Sequence, residues 1–259
     1  MSRKISFVVA QTDHGTMIVN RNDYNVDSSG LPSYGVGHEV LENGSFSIED
    51  VDLLKRTLSA QRQLRGDGVL ALDVGANIGV HTLEWARHMK NWGQVISIEP
   101  QKEIFYALSG NVIINNNFNV TTHNVAISNY NGTIKIPAID YTKPGSFGSL
   151  ELIKKEDTEY IGQDLDYQNG QHVPVRTIDS FNLDRLDLLK IDVEGMEIEV
   201  LMGALNTIQK HRPVIFVEHI KISQDTLYKI FANIGYFFAV FGINTIAFHK
   251  DDTVIDLLR

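Results

Sequence analysis

The chain has 259 residues, no cysteine and a net charge of -9 at pH 7, and 43% of its residues are apolar. The length suits one large α/β domain with a small addition, and the lack of thiols excludes disulfides, a cysteine nucleophile and thiolate metal sites. The negative charge, with no basic run longer than Lys154-Lys155, disfavours nucleic acids and membranes as partners.

The first 65 residues are predicted to form an N-terminal cap rather than an independent domain. Residues 5–10 and 16–20 indicate two strands joined by a turn-like Asp-His-Gly cluster. Ser47 is predicted to cap a following helix, in which Asp50 is the third residue. The apolar residues of that helix recur at i, i+3 and i+7 spacing: Val51, Leu54 and Leu58.

No targeting segment is expected in this sequence. The apolar run at residues 5–10 is too short for the core of a signal peptide. No stretch approaches the roughly 20 apolar residues that a membrane span needs. A cytoplasmic enzyme is therefore expected.

From Gly66 onward, apolar strands alternate with amphipathic helices. Residues 69–74 form an apolar run interrupted only by Asp73, as is typical of a buried parallel strand. Repeated βαβ units predict an α/β fold with a doubly wound, mostly parallel, Rossmann-like sheet, and residues 66–259 are assigned to one catalytic domain. The further strands are predicted at residues 95–98, 120–127, 186–193, 214–217, 237–241 and 245–249.

The segment 137–171 interrupts this alternation. It is long, polar and rich in Gly, Tyr and Asp, and it has no clear periodicity. A loop of this length in a compact domain is usually functional or disordered. We therefore predict a substrate loop or lid between the third and fourth core strands, with the Gly/Ser-rich piece 143–150 facing the substrate.

A glycine turn follows the first core strand and opens a helix. Gly75 permits a tight turn, and Gly79 lets the helix pack closely on the strand. Asp73 would repel a pyrophosphate but suits the cationic amino group of S-adenosylmethionine. Glu99 stands at the tip of the second strand, at a distance along the chain typical of residues that bind ribose hydroxyls. The pattern favours S-adenosylmethionine over a dinucleotide.

Four motifs lie at the ends of predicted strands: Asp73-Val74-Gly75-Ala76-Asn77-Ile78-Gly79, Glu99-Pro100, Asn124-Val125-Ala126-Ile127-Ser128 and Ile191-Asp192-Val193-Glu194-Gly195-Met196-Glu197. With them, roughly residues 65–220 resemble the FkbM-type methyltransferases, a group of Rossmann-like S-adenosylmethionine enzymes with a seven-stranded sheet. The resemblance implies methylation of a hydroxyl group, often on a natural product or sugar. Met196 departs from the pattern, because many relatives have a histidine there.

The resemblance also implies roles for individual residues. The methionine portion of the cofactor would be lined by Asp73, Gly75 and Asn77, with Asp192 near the transferred methyl. Glu99 would hold the ribose, and the adenine would be bordered by Asn124 and Val125. The complete predicted cofactor-binding set is Asp73, Gly75, Ala76, Asn77, Gly79, Glu99, Pro100, Asn124, Val125, Ala126 and Asp192.

A hydroxyl acceptor needs a group that removes its proton, and the predicted catalytic residues are Asp192, Glu194, Glu218 and His219. Asp192 and Glu194 alternate on an extended segment, so only one of them is expected to face the cleft. Glu197 is expected to complement the helix N-terminus. The Asp, Glu and His side chains could bind a divalent cation, but a metal-free site is favoured.

Two alternatives remain open at this point. One is an NAD-dependent oxidoreductase on a similar sheet, and the other is a non-catalytic Rossmann-like binding protein. The acceptor is expected to be a small molecule or a glycan. The sequence does not identify it, and it does not indicate an oligomeric state.

Overall fold

The computed structural model describes residues 5–26 and 29–258. This part of the chain forms a seven-stranded sheet, a three-stranded sheet and a two-stranded hairpin, with helices packed around them. The strands are β1 (Phe7–Thr12), β2 (Gly15–Asn20), β3 (Val69–Val74), β4 (Gly93–Ile98), β5 (Val120–His123), β6 (Ala126–Ile127), β7 (Gly132–Ala138), β8 (Asp166–Arg176), β9 (Leu188–Ile191), β10 (Val214–Glu218), β11 (Tyr236–Phe241) and β12 (Asn244–His249). The α-helices are α1 (Val36–Asn43), α2 (Ile48–Arg65), α3 (Val80–His88), α4 (Lys102–Ile114), α5 (Glu197–Met202), α6 (Leu205–His211) and α7 (Gln224–Asn233).

The large sheet has the order β11-β12-β10-β9-β3-β4-β5. Strands β5, β4, β3, β9 and β10 are parallel neighbours, and β12 is antiparallel to both β10 and β11. The chain moves from β3 outward to β5 and later returns to place β9 on the other side of β3. This reversal lies between β3 and β9, and ligand sites of such sheets lie at the carboxyl ends of the strands around a reversal of this kind. The predicted α/β class and the mostly parallel sheet are confirmed.

The continuous apolar character of the central strands follows from burial on both faces. In β3, Leu72 and Val74 pack in one apolar layer with α5, α6 and α7. Val69 and Ala71 pack in a second layer on the opposite face, with α2 and α3. Because successive side chains of a strand point to opposite faces, a strand covered on both sides has no polar alternation.

The predicted third strand, residues 120–127, is wrong as one element. Its first half is β5 of the large sheet, and its second half is β6 of the three-stranded sheet. The segment 137–171 is not wholly irregular either, because β7 ends at its beginning and β8 begins at residue 166. Only two of the eleven residues of β8 are buried, so its sequence shows apolar alternation only at Val173 and Val175.

The N-terminal segment is integrated with the sheet domain. The predicted hairpin is confirmed as β1 and β2, and Asn111 of α4 accepts a hydrogen bond from the backbone of Ile18 and donates one back. Ser47 precedes α2 as predicted, but it has a φ of 50° and its side chain makes no capping hydrogen bond. Across residues 5–26 and 29–258, none of the helices combines the length and the apolarity needed to cross a bilayer.

Candidate active site

A cavity of about 330 Å³ opens at the carboxyl ends of β3, β4, β9 and β10. Its floor is the glycine turn after β3, and its walls come from the ends of the neighbouring strands, the start of α2 and the β7–β8 loop. The cavity therefore occupies the reversal point of the sheet, where ligand sites of α/β folds lie.

The glycine turn is fixed by close backbone contacts. Gly75 has a φ of +79°, and a Cβ at this position would lie 1.7 Å from the carbonyl oxygen of Asp192. The backbone N–H groups of Gly75 and Ala76 both donate to the carbonyl oxygen of Ile98, at 3.0 and 2.9 Å. At Gly79, with a φ of +95°, a Cβ would lie 2.6 Å from Leu108 of α4. The turn thus needs glycine at both ends, and Gly75, Ala76, Asn77 and Gly79 all line the cavity.

Glu99 follows β4 and lines the cavity with a buried carboxylate. One oxygen accepts the backbone N–H of Asn77 at 3.0 Å, and the other accepts that of Gln101 at 2.8 Å. Burial raises the pKa of Glu99 to about 7, although these two N–H groups oppose the shift. Glu99 therefore joins the glycine turn to the end of β4 and presents the rest of its carboxylate to the cavity.

The predicted adenine region is brought to the cavity only in part. Pro100, Val125 and Ala126 line the cavity, and they are apolar as a purine face requires. Asn124 does not line it. Its amide instead donates to the carbonyl oxygens of Glu99 and Pro100, at 2.9 and 3.0 Å. Asn124 therefore positions the neighbouring wall rather than facing the cavity.

Asp73 lies beneath the cavity, not on its surface. It has no exposed area, Thr82 donates to its carboxylate at 2.7 Å, and the ammonium of Lys190 lies 3.7 Å away. Asp73 is therefore not among the residues that line the cavity, and its contact with a cationic ligand stays a prediction. Asp73 is on the same face of β3 as Val69 and Ala71, which α2 and α3 cover. Its side chain therefore points into that helix layer, where it contacts Thr82 of α3.

Three predicted catalytic carboxylates converge at the other end of the cavity. One oxygen from each of Asp192, Glu194 and Glu218 lies within 4.8 Å of the others, and all three residues line the cavity. The expectation that Asp192 and Glu194 point to opposite sides is wrong. The backbone is not extended there, since Glu194 has a φ of 56° and turns its side chain back toward Asp192.

Burial and mutual repulsion govern the protonation of these carboxylates. Burial raises the pKa of Glu194 to about 8 and that of Glu218 to about 9, and the charge of Asp192 adds to both shifts. The carboxylate of Glu218 has no hydrogen-bond partner among residues 5–26 and 29–258. A group with a pKa near the working pH can accept or release a proton, as acid–base chemistry requires.

His219 does not join this cluster. It follows Glu218 directly, so its side chain points to the opposite side of the strand end, where Nδ1 lies 2.9 Å from the hydroxyl of Thr245. The prediction that His219 converges with the carboxylates is therefore contradicted. Glu197, as expected, serves the helix start, because its carboxylate accepts the backbone N–H groups of Val193 and Gly195 at 3.0 and 3.1 Å.

Two lysines that the sequence analysis missed neutralise part of this charge. Lys190 is buried, and its ammonium lies 3.0 Å from Asp192. Burial alone would lower the pKa of Lys190, but the charges of Asp192 and Asp73 raise it by more. The net shift is upward, so the ammonium group stays charged. Lys221 lies 2.7 Å from Glu194. A lysine inside an apolar strand run was a signal for Lys190, whereas nothing local marks Lys221.

The three carboxylates could in principle hold a divalent cation. Two of them already face an ammonium group, at 3.0 Å for Asp192 and 2.7 Å for Glu194. A metal ion would have to compete with both lysines for the same oxygens. The donor set therefore fits an ionic acid–base cluster better than a cation site.

Comparison with known proteins places this architecture in a family. Residues 73–241 match the family model described as the methyltransferase FkbM domain. A curated relative, Methyltransferase 1 of Beauveria bassiana (strain ARSEF 2860), is 25% identical over 148 residues, which are 53% of this chain and 59% of that protein. The chain thus spans about three fifths of the length of the curated relative that it matches.

The fold resembles that of a methyltransferase FkbM from Methylobacillus flagellatus KT, with a TM-score of 0.51 and 18% identity. That match covers 75% of this chain and 48% of the other. It shows a shared fold, and the family model extends over more than half of the present sequence. From the glycine turn to the edge strand β11, this chain belongs to the FkbM methyltransferase domain family.

Proposed function

We propose that this chain is an S-adenosylmethionine-dependent methyltransferase that acts on a hydroxyl oxygen of a small molecule or glycan. The observation that carries the proposal is that a single cavity joins the glycine turn and Glu99 at one end to the three carboxylates at the other. Membership of the FkbM family supports the methyl-transfer chemistry.

The residues present fit the cofactor. When bound, S-adenosylmethionine supplies a methyl group on a positively charged sulfur. The bare backbone at Gly75 leaves room that a Cβ would fill, and Glu99 offers carboxylate oxygen to ribose hydroxyls. Val125 and Ala126 supply an apolar wall for the adenine ring. Asp73 would contribute indirectly, because its carboxylate attracts the ammonium of Lys190 and so keeps Lys190 beside Asp192.

The carboxylates would take the proton of the acceptor. A positive charge placed in the cavity favours the ionised forms of Glu194 and Glu218, because opposite charges at short range lower the pKa of a carboxyl group. The ionised carboxylate would then accept the proton of the acceptor hydroxyl as its oxygen receives the methyl group from the sulfonium, which would leave as a neutral thioether. Alignment of the two partners can supply about 7–11 kcal/mol of the barrier reduction.

The charge of the cavity also limits the acceptor. Its wall includes seven carboxylates and two lysines, and both lysines are already paired. A phosphate-rich acceptor such as nucleic acid would be repelled, so a neutral sugar or alcohol fits better. A cytoplasmic location and the absence of a membrane partner remain predictions.

Calorimetric titration with S-adenosylhomocysteine, with NAD as a parallel ligand, tests the cofactor. Micromolar binding of S-adenosylhomocysteine alone is expected. Glu99→Gln should weaken it about tenfold to a hundredfold, because an amide cannot accept from both backbone N–H groups. Binding of NAD alone would establish a dinucleotide site, and binding of neither ligand would favour a non-catalytic role.

A labelled-methyl assay tests the chemistry. Methyl-labelled S-adenosylmethionine, with a panel of monosaccharides and alcohols, should yield an O-methylated product. Glu218→Gln should keep affinity for S-adenosylhomocysteine within about threefold but reduce turnover at least a hundredfold, the usual scale for loss of a proton-transfer group. Product methylated at nitrogen or carbon would overturn the choice of oxygen.

A further inference from the structure

Lys221 joins parts of the chain that are far apart in sequence. It lies in the loop after β10, and its side chain is 14% exposed. Its ammonium lies 2.7 Å from Glu194, 2.7 Å from Glu159 and 3.1 Å from the carbonyl oxygen of Ser149. An ammonium group has three N–H donors, so these three acceptors can satisfy all of them. We call this arrangement the Lys221 bridge.

Two of the three acceptors belong to the β7–β8 loop, residues 139–165. Ser149 and Glu159 both line the cavity. Glu159 also accepts a hydrogen bond from the hydroxyl of Tyr34, which comes from the N-terminal segment. The bridge therefore closes a ring of contacts around the cavity mouth, from the N-terminal segment through the loop to the end of β9.

The third acceptor, Glu194, depends on the bridge for its orientation. It is the non-glycine residue of the β9–α5 turn with a positive φ, and its carboxylate has no hydrogen-bond or ion-pair partner besides Lys221 in the described part of the chain. Its backbone position alone leaves the side-chain torsions free. The ion pair with Lys221 is therefore what keeps its carboxylate beside Asp192 and Glu218.

We propose that Lys221 is a positioning residue that fastens the β7–β8 loop over the cavity and fixes the carboxylate of Glu194 in the site. The fastening stands on the contacts alone, and its consequence for catalysis rests on the proposed function. An ionic fastening inside a cavity wall is also reversible, because water that enters with an acceptor solvates the same charges. The bridge thus couples the position of the loop to the arrangement of the carboxylates.

The chain offers a matched control in Lys155. This lysine also belongs to the β7–β8 loop and also reaches the β9–α5 turn, where its ammonium donates to the carbonyl oxygen of Gly195 at 2.9 Å. It contacts no carboxylate of the cavity among the described residues. Lys155→Met therefore removes a contact between the loop and the turn without touching Glu194.

Hydrogen exchange of the full chain tests the proposal without knowledge of the acceptor. In Lys221→Met, amide exchange should rise about tenfold or more in residues 149–161 and also in residues 193–196, and affinity for S-adenosylhomocysteine should fall about tenfold. Lys221→Arg should restore most of the protection, because a guanidinium can bind both carboxylates. Glu159→Gln, which weakens only the loop side, should raise exchange in the loop but not in residues 193–196.

The outcomes separate the proposal from its alternatives. Unchanged exchange in Lys221→Met would overturn the fastening. Raised exchange confined to the loop, with normal exchange in residues 193–196, would overturn the effect on Glu194. An equal effect of Lys155→Met on cofactor affinity would do the same. If the unmodified protein binds no S-adenosylhomocysteine, the proposed function fails, and the exchange data still decide whether Lys221 holds the loop.

Discussion

Gly75→Ala should lower the free energy of unfolding for two reasons. It places a Cβ on a residue with left-handed backbone, and that Cβ collides with the backbone of a neighbouring segment. A Cβ at Gly75 would lie 1.7 Å from the carbonyl oxygen of Asp192, so the two backbones would have to separate by about 1.3 Å to reach even 3.0 Å. That movement would stretch the hydrogen bond from the N–H of Asp192 to the carbonyl oxygen of Val74, now 3.0 Å long.

The magnitude follows from three contributions. A non-glycine residue in the left-handed region costs about 1–2 kcal/mol, a lost backbone hydrogen bond about 1 kcal/mol and overpacking about 1–3 kcal/mol. The free energy of unfolding should therefore fall by roughly 3–6 kcal/mol. Gly44 provides the control, because it has a φ of +75° and nothing within 4 Å of its Cβ position. Gly44→Ala should cost only about 1–2 kcal/mol.

Urea denaturation of both variants measures the difference, and titration with S-adenosylhomocysteine measures the effect on the site. Gly75→Ala should lose cofactor binding even at temperatures where it remains folded, because the separated strands displace the floor of the cavity. Gly44→Ala should bind normally. Equal stability losses for the two variants would refute the steric reasoning, and normal binding by folded Gly75→Ala would refute the placement of the cofactor.

Three further predictions concern protonation, the buried charges and metal. Asp23 is a buried residue of the N-terminal segment whose carboxylate accepts the backbone N–H groups of Gly37 and Phe147. Burial raises the pKa of Asp23 to about 6 and that of Glu99 to about 7. As the pH falls through these values both groups become protonated in the folded state, the free-energy cost of burying their charges disappears, and the free energy of unfolding rises. The ligand-free protein should melt at a higher temperature at pH 6 than at pH 8, and the reverse order would contradict this. Lys190→Met should lower the free energy of unfolding, measured by urea denaturation, by about 3–5 kcal/mol, because it leaves Asp73 buried without a cation. Adding Asp73→Asn should restore part of that loss. No recovery in the double variant would show that the two residues are not coupled. Treatment with EDTA should leave methyl transfer intact, whereas loss of activity with rescue by Mg²⁺ would establish a metal site.

Much of the fold follows from local patterns in the sequence. The apolar runs that became β3, β9 and β10 are continuous because both faces of the sheet are covered, and their lengths identify them as strands. The segment that became β8 gave no such pattern, because only two of its eleven residues are buried and its pairing with β6 and β7 is what makes it a strand. Periodicity therefore predicts buried elements and misses those held mainly by backbone pairing.

The candidate site divides in the same way. The spacing of Gly75 and Gly79 after a strand predicts the turn, because a turn of that kind is set by residues close in sequence. The acidic residue at the end of the next strand was predictable too, because parallel strands end at the same edge. These features depend on the local backbone and on the topology of the sheet alone.

Only the tertiary structure decided which side chains face the cavity and which neutralise one another. Asp73 turns into the helix layer, Glu194 turns back toward Asp192, and Lys221 reaches a loop some sixty residues earlier in the chain. Whether two such side chains attract or repel each other, and how strongly, depends on distances of a few ångströms between segments that are remote in sequence. Such distances are set by the packing of the whole fold, and no local pattern of residues encodes them.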